Sequence, residues 1–239
     1  MWYPLKKEAL EKQLEEFLEL EVVKKHKNPG IKGIIAPHAG YEYSGKLAAK
    51  AYAQIKGKKK AIILAPSHYF PLSGIVSHDD KAWQTPLGQI EVINFKFRKA
   101  NLTQEHAIDN QVPFLQKLGF KQILPLVVGE INNTDAEVIA QQLSPLLKDP
   151  ETVLVVSTDL SHFLPENYAN IKDKQTLKII QNLDTENSNK IDACGIFPLM
   201  VFMHLAKMNN WKPELIHYQT SAEINKDANK VVGYAILKF

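Results

Sequence analysis

Cysteine is almost absent from this chain: one residue, Cys194, in 239. A lone thiol excludes an internal disulfide, and with it the disulfide-stapled secreted class, so a reducing cytoplasm is the expected setting. Long apolar runs are missing too. The longest mostly apolar stretch, Ile196 to Ala206, contains His204 and falls short of the roughly 20 residues that cross a bilayer. No membrane partner is expected. The N-terminal segment carries Lys6 and Lys7 but runs on into KKEALEKQLEEFLELEVV, without the apolar centre of a secretory signal. Excess charge of one sign is also scarce, with Lys plus Arg at 29 against Asp plus Glu at 26 and the two interleaved. That balance predicts no nucleic-acid partner, and the basic run from Lys56 to Lys60 reads as a solvated turn before a strand. Repeats, low-complexity tracts and dividing linkers are lacking. With 45% hydrophobic residues, the chain can bury one sizeable core, and a single domain over 1–239 is expected, an amphipathic helix within 1–25 being part of it.

What is present is an alternation. Leu10, Leu14, Phe17 and Leu18 recur at helical spacing between Lys6 and Val23, which predicts an amphipathic helix. After KNPG, short apolar runs bounded by Gly, Pro and polar residues occupy Gly33 to Ala36, Ala61 to Ala65, Ile123 to Val128 and Val153 to Ser157. These read as strands buried on both faces. Helical stretches lie between and after them, at Gly45 to Ile55, Gln104 to Leu118, Thr134 to Leu147 and Pro165 to Leu183. The prediction is an α/β layered fold, a central mostly buried sheet flanked by helices. PLGQIEV, from Pro86, suggests a turn into a short strand, and KPELIHYQT and KVVGYAILKF suggest two neighbouring strands at the end of the chain.

Three of the apolar runs share one ending. GIIAPHAGYEYSG places His38 just past a strand, AIILAPSHYFPLSG does the same with His68, and TVLVVSTDLSHF ends in Asp159 and His162. Strand ends in α/β sheets are where loops converge on a rigid frame and where ligands collect. Any one such imidazole can serve as a backbone hydrogen-bonding group, but three at three strand ends point to a shared site. Two imidazoles make a weak metal site, and a further protein ligand is normally needed. Cys194, in DACGIFPLM, is the candidate. Its thiol would lie near a helix N-terminus that favours the thiolate, the alternative being a buried core cysteine. Asp159 and Asp109 are the acids to weigh, against helix capping or surface solvation. Tyr41 and Tyr43 either line a pocket or pack. Ser67 and Ser161 precede histidines, but sequence neighbours on an extended chain point apart, and no G-x-S-x-G turn exists.

The segments APHAGYEYSG, APSHYFPLSG, TPLG, EHAIDNQVPFLQ, STDLSHF and CGIFPL resemble, in order and spacing, the Memo-like proteins, also known as AmmeMemoRadiSam system protein B. The resemblance runs from about Ile34 to Leu199. It implies a fold related to the class III extradiol dioxygenases, with a non-haem metal at the strand ends held by His38, His68 and Cys194. It also implies that His162 is the acid/base histidine beside that metal, with Asp159 in the same motif. The chain departs from the family pattern where Tyr69 replaces a second histidine, where His106 to Asp109 reads HAID instead of HSIE, and where Ile196 replaces an arginine after the CG pair.

Two neutral imidazoles and a thiolate around a divalent ion leave a net charge of about +1 and open positions for water, oxygen or a chelating substrate. Iron is what the resemblance implies; two His and one carboxylate form the usual Fe(II) oxygenase set, and sulfur in the carboxylate's place also suits copper or zinc. Three readings follow. The chain is a dioxygenase-like redox enzyme acting on a small molecule of unknown identity, or it holds copper or iron without turnover or serves as a protein's interaction partner. In the third, zinc activates water for hydrolysis with His162 as general base.

Overall fold

The computed structural model describes residues 2–22 and 30–239. Four strands form its parallel centre: β1 (Gly33–Ala36), β2 (Lys60–Pro66), β7 (Gln122–Val128) and β8 (Thr152–Ser157). They pair in the order β1, β8, β2, β7. Their alternate residues serve two cores. Ile34, Ala61, Ile63, Ile123, Val127, Val153 and Val155 face one, and Ile35, Ile62, Leu64, Leu124, Leu126, Leu154 and Val156 face the other. That two-sided burial is why these strands read as unbroken apolar runs.

Beside β1 lies β11 (Val231–Lys238), antiparallel to it, and then β10 (Glu214–Thr220), antiparallel to β11; the last two extended segments are neighbours, as expected. On the far side β7 pairs with β3 (Ile75–His78), which carries β6 (Arg98–Ala100), and with β5 (Gly88–Val92), whose hairpin partner is β4 (Ala82–Thr85). The expected turn and strand at Pro86 to Val92 are thus present. A short β9 (His162–Leu164) pairs with β11.

One face of the sheet is covered by α1 (Lys7–Val22), α2 (Lys46–Gln54), α3 (His106–Asp109) and α4 (Val112–Lys117), the other by α5 (Asn133–Leu143), α6 (Glu166–Gln181) and α7 (Ile196–Met208). A one-turn α8 (Ala222–Asn225) follows β10. On α1, Leu10 and Leu14 are wholly buried, each contributing about 2 kcal/mol of apolar transfer. The last residue of the expected first helix, Val23, and positions 27–29 of KNPG lie outside the described residues.

Two helices differ from expectation, each at a proline. The stretch from Gln104 to Leu118 is two helices, because Pro113 has no N–H for the carbonyl of Asp109 and its ring would crowd that turn. Between the two helices, the side-chain amides of Asn110 and Gln111 donate to the carbonyls of His38 and Pro37 in the loop after β1. The stretch from Thr134 to Leu147 passes at Pro145 into a 3-10 turn, Ser144–Lys148, and α2 is preceded by a π turn, Tyr41–Gly45. No described helix is long and apolar enough to cross a membrane.

Candidate metal centre

β1, β8 and β2 run parallel, so their carboxyl ends share one edge of the sheet. His38 leaves that edge two residues after β1 and His68 two residues after β2. Cys194 arrives from far along the chain, just before α7. Each offers one ligand atom, and the three atoms lie within 4.8 Å of one another.

The hydrogen bonds around these groups assign their protons. Ser157 Oγ has a single hydrogen and donates it to Ala107 O at 2.6 Å. It accepts from Gln111 Nε2 at 2.8 Å. His38 Nδ1, also 2.8 Å away, must therefore donate, which leaves the lone pair on Nε2. That nitrogen faces Cys194 Sγ at 3.2 Å. Burial, then the neighbouring rings of His68, His106 and His162, hold the His38 pKa well below its ordinary value, so the imidazole stays in the neutral form a metal requires.

His68 is fixed by Glu105. Its backbone N–H and its Nδ1 both donate to the Glu105 carboxylate, each at 2.8 Å. Glu105 also caps α3, accepting from Ala107 N at 3.1 Å. Burial alone would raise the pKa of this 1% exposed acid, but the bonds from His68 and Ala107 outweigh it and hold the carboxyl below its usual range. A carboxylate bonded to Nδ1 is the usual outer partner of a metal-bound imidazole. Sequence reasoning passed over Glu105, because a first-turn acid in a supposed continuous helix looks like capping alone.

Cys194 differs from expectation in its acidity. It does precede a helix, but burial, followed by the charge of Asp159, pushes its thiol pKa well up. The thiol is protonated at neutral pH, and a metal would have to displace that proton. The sulfur accepts from Asp159 N at 3.2 Å. Gly195 makes the approach possible: a Cβ there would stand 2.6 Å from Thr158 Cβ and Oγ1.

Asp159 is buried and accepts from His38 N at 2.8 Å, and its other oxygen lies 4.0 Å from His38 Nε2. Burial pushes its pKa up to about 6. His162 belongs to β9 instead of the end of β8, since β8 stops at Ser157; its charge still bears on both His38 and Asp159. Asp109 neither caps nor faces solvent alone: it accepts from Tyr3 Oη at 2.5 Å and Trp83 Nε1 at 2.9 Å. Tyr41 is a packing residue whose hydroxyl donates to Asn110 O at 2.8 Å, whereas Tyr43 lines a cleft.

A third imidazole, unassigned from sequence, completes the neighbourhood. His106 has its ring 4.4 Å from that of His68 and 5.4 Å from that of His38, stacks on Trp2 at 4.1 Å, and lies 3.0 Å from the Tyr69 hydroxyl. Burial, and then the charge of His68, lower its pKa to about 4. A cleft of about 370 Å³ has Trp2, Ala39, Tyr43, Phe163 and Tyr234 in its walls; it adjoins the cluster through Trp2, stacked on His106, and through Ala39, next in the chain to His38.

The family model described as Memo-like protein matches residues 1–238. The chain belongs to the Memo family. Among Memo-family relatives, a MEMO1 family protein of Aquifex aeolicus is 31% identical over 98% of this chain and 94% of its own length. One from Sulfurisphaera tokodaii is 33% identical over 86% of this chain and 81% of its own, and one from Methanosarcina barkeri is 30% identical over 99% and 96%. For this Memo-family chain, the donor set fits a single divalent ion: two imidazoles with their Nδ1 protons committed elsewhere, and a thiol that becomes the anionic ligand on losing its proton.

Proposed function

We propose that the chain is a non-haem iron protein with a dioxygenase-like redox activity, its metal held by His38, His68 and Cys194. The observation that carries this reading is the meeting of three ligand atoms within 4.8 Å beside a cleft large enough for a small molecule. Iron bound there would supply a redox-active Lewis acid with open positions. The rest is the work of the chain. Ser157 and Glu105 hold the two rings in register, and the cleft orients the substrate. His162 takes a proton from the bound substrate, and Asp159, with its pKa near neutrality, shares or returns it.

A second reading, metal holding without turnover, is favoured by sulfur in the place of a carboxylate, since a thiolate suits copper or zinc and is itself oxidisable. Elemental analysis of anaerobically purified protein, with spectra recorded on adding a catechol, separates the two. Iron with a new charge-transfer band supports the enzyme, and copper or zinc with no spectral response supports the alternative. His38→Ala, His68→Ala and Cys194→Ser are each expected to lose most of the metal while the fold persists. Undiminished loading in all three removes the assignment. His162→Ala is expected to keep the metal and lose reactivity, and equal metal loss there would make it a ligand.

A further inference from the structure

The cleft beside the metal centre has an uneven lining. Trp2, Tyr43, Phe163 and Tyr234 give it aromatic walls, while Ser221, Asn225 and Lys230 are its polar lining. Lys230 is the one charged residue in the lining, and no acid shares the cleft with it. No ion pair of Lys230 occurs among the described residues.

The walls are built rather than incidental. Trp2 is pinned at both ends: its carbonyl accepts from Tyr41 N at 2.8 Å, and its ring lies flat on His106 with an interplanar angle of 7°. Phe163 is 69% exposed and adopts φ 59, a left-handed conformation that a bulky residue takes only at some cost. Its pairing neighbours hold it there, since His162 and Leu164 are both tied to β11. An aromatic ring kept in water on a strained backbone, in the lining of a cleft, is placed for stacking on a ligand.

We propose that this cleft binds a flat aromatic molecule carrying an anionic group, the rings stacking between Trp2 and Phe163 and the anion meeting Lys230. This rests on the proposed metal-site reading only for which end of the ligand reacts; the binding itself needs the cleft alone. Lys230 thereby selects among aromatic ligands by charge.

The test uses the full-length protein, as purified and after treatment with EDTA, titrated by calorimetry with 2-naphthoate and with its neutral counterpart 2-naphthamide. Wild type is expected to bind the naphthoate about tenfold more tightly, as one charge-assisted contact allows. Lys230→Gln is expected to remove that preference, leaving the naphthamide affinity and the metal content unchanged, and Trp2→Ala to weaken both ligands. The preference is expected to survive EDTA. Equal binding of the two ligands by wild type, no binding of either, or an unaltered preference in Lys230→Gln overturns the proposal. So does loss of naphthoate binding on EDTA treatment, which would put the anion on the metal. Failure of the three ligand substitutions to reduce metal loading would instead remove the metal assignment and leave this result standing.

Discussion

At the scale of single residues, the site depends on proton placement. His38 and His68 both donate from Nδ1, one to a serine already committed elsewhere and one to a buried carboxylate. Glu105 carries the larger share of the orientation, since it binds both the ring and the backbone of His68 and caps α3 as well. Glu105→Gln keeps the shape but makes the acceptor neutral, and its amide presents a donor to the same cluster. Metal affinity is expected to fall about 10- to 100-fold with a smaller loss of stability, measured by competition against a chromogenic chelator. Affinity equal to wild type would reduce Glu105 to a helix cap. The histidines and Cys194 were legible in the sequence because each stands where a pattern breaks. Glu105, Ser157 and Gln111 were not, because each sits at a position where a polar residue is unremarkable and its partner is remote in the chain.

At the scale of elements, the centre is assembled by close approaches between segments. The loop before α7 must press against the end of β8 to bring Cys194 to His38, and Gly195 is the point of contact. Gly195→Ala places a methyl group 2.6 Å from Thr158, inside van der Waals contact, so one backbone must shift. The expected result is about 1–3 kcal/mol of destabilisation with lower metal content, read from chemical denaturation and elemental analysis of the same samples. Full metal content with lowered stability would show that the loop relaxes without carrying the sulfur away. Element positions were largely foreseen from period and punctuation: the four parallel strands, the terminal pair and the strand after Pro86 all stand where expected. The split of α3 from α4 was not, although Pro113 marks it, because periodic apolar residues continue across the break while Asn110 and Gln111 bond to the loop after β1.

At the scale of the whole molecule, binding couples to stability and to pH. A metal that binds only the folded chain stabilises it by about 2.7 kcal/mol at a hundredfold excess over Kd, or roughly 5–10 °C in Tm for a chain of this size. The Cys194 thiol is protonated at neutral pH because burial, and then Asp159, raise its pKa; binding therefore releases one proton. Affinity then rises with pH, and below the thiol pKa each unit of acidification weakens it about tenfold and removes about 1.4 kcal/mol of the stabilisation. Thermal scans of wild type with and without iron(II), at several pH values, are expected to show a Tm increment that grows with pH and is absent in Cys194→Ser. An increment independent of pH would mean that the sulfur does not lose its proton on binding.

The chain's own order of residues determined the layered α/β architecture, the buried parallel strands and the candidates at their ends, since hydrophobic period and chain breakers are local properties that burial reads directly. Tertiary structure alone decided which partners those candidates meet. His38 and Cys194 are 156 positions apart, and only parallel pairing of β1, β8 and β2 brings their loops to one edge. Only the folded surroundings assign the Nδ1 protons and raise the thiol pKa, because desolvation and hydrogen bonding depend on neighbours in space.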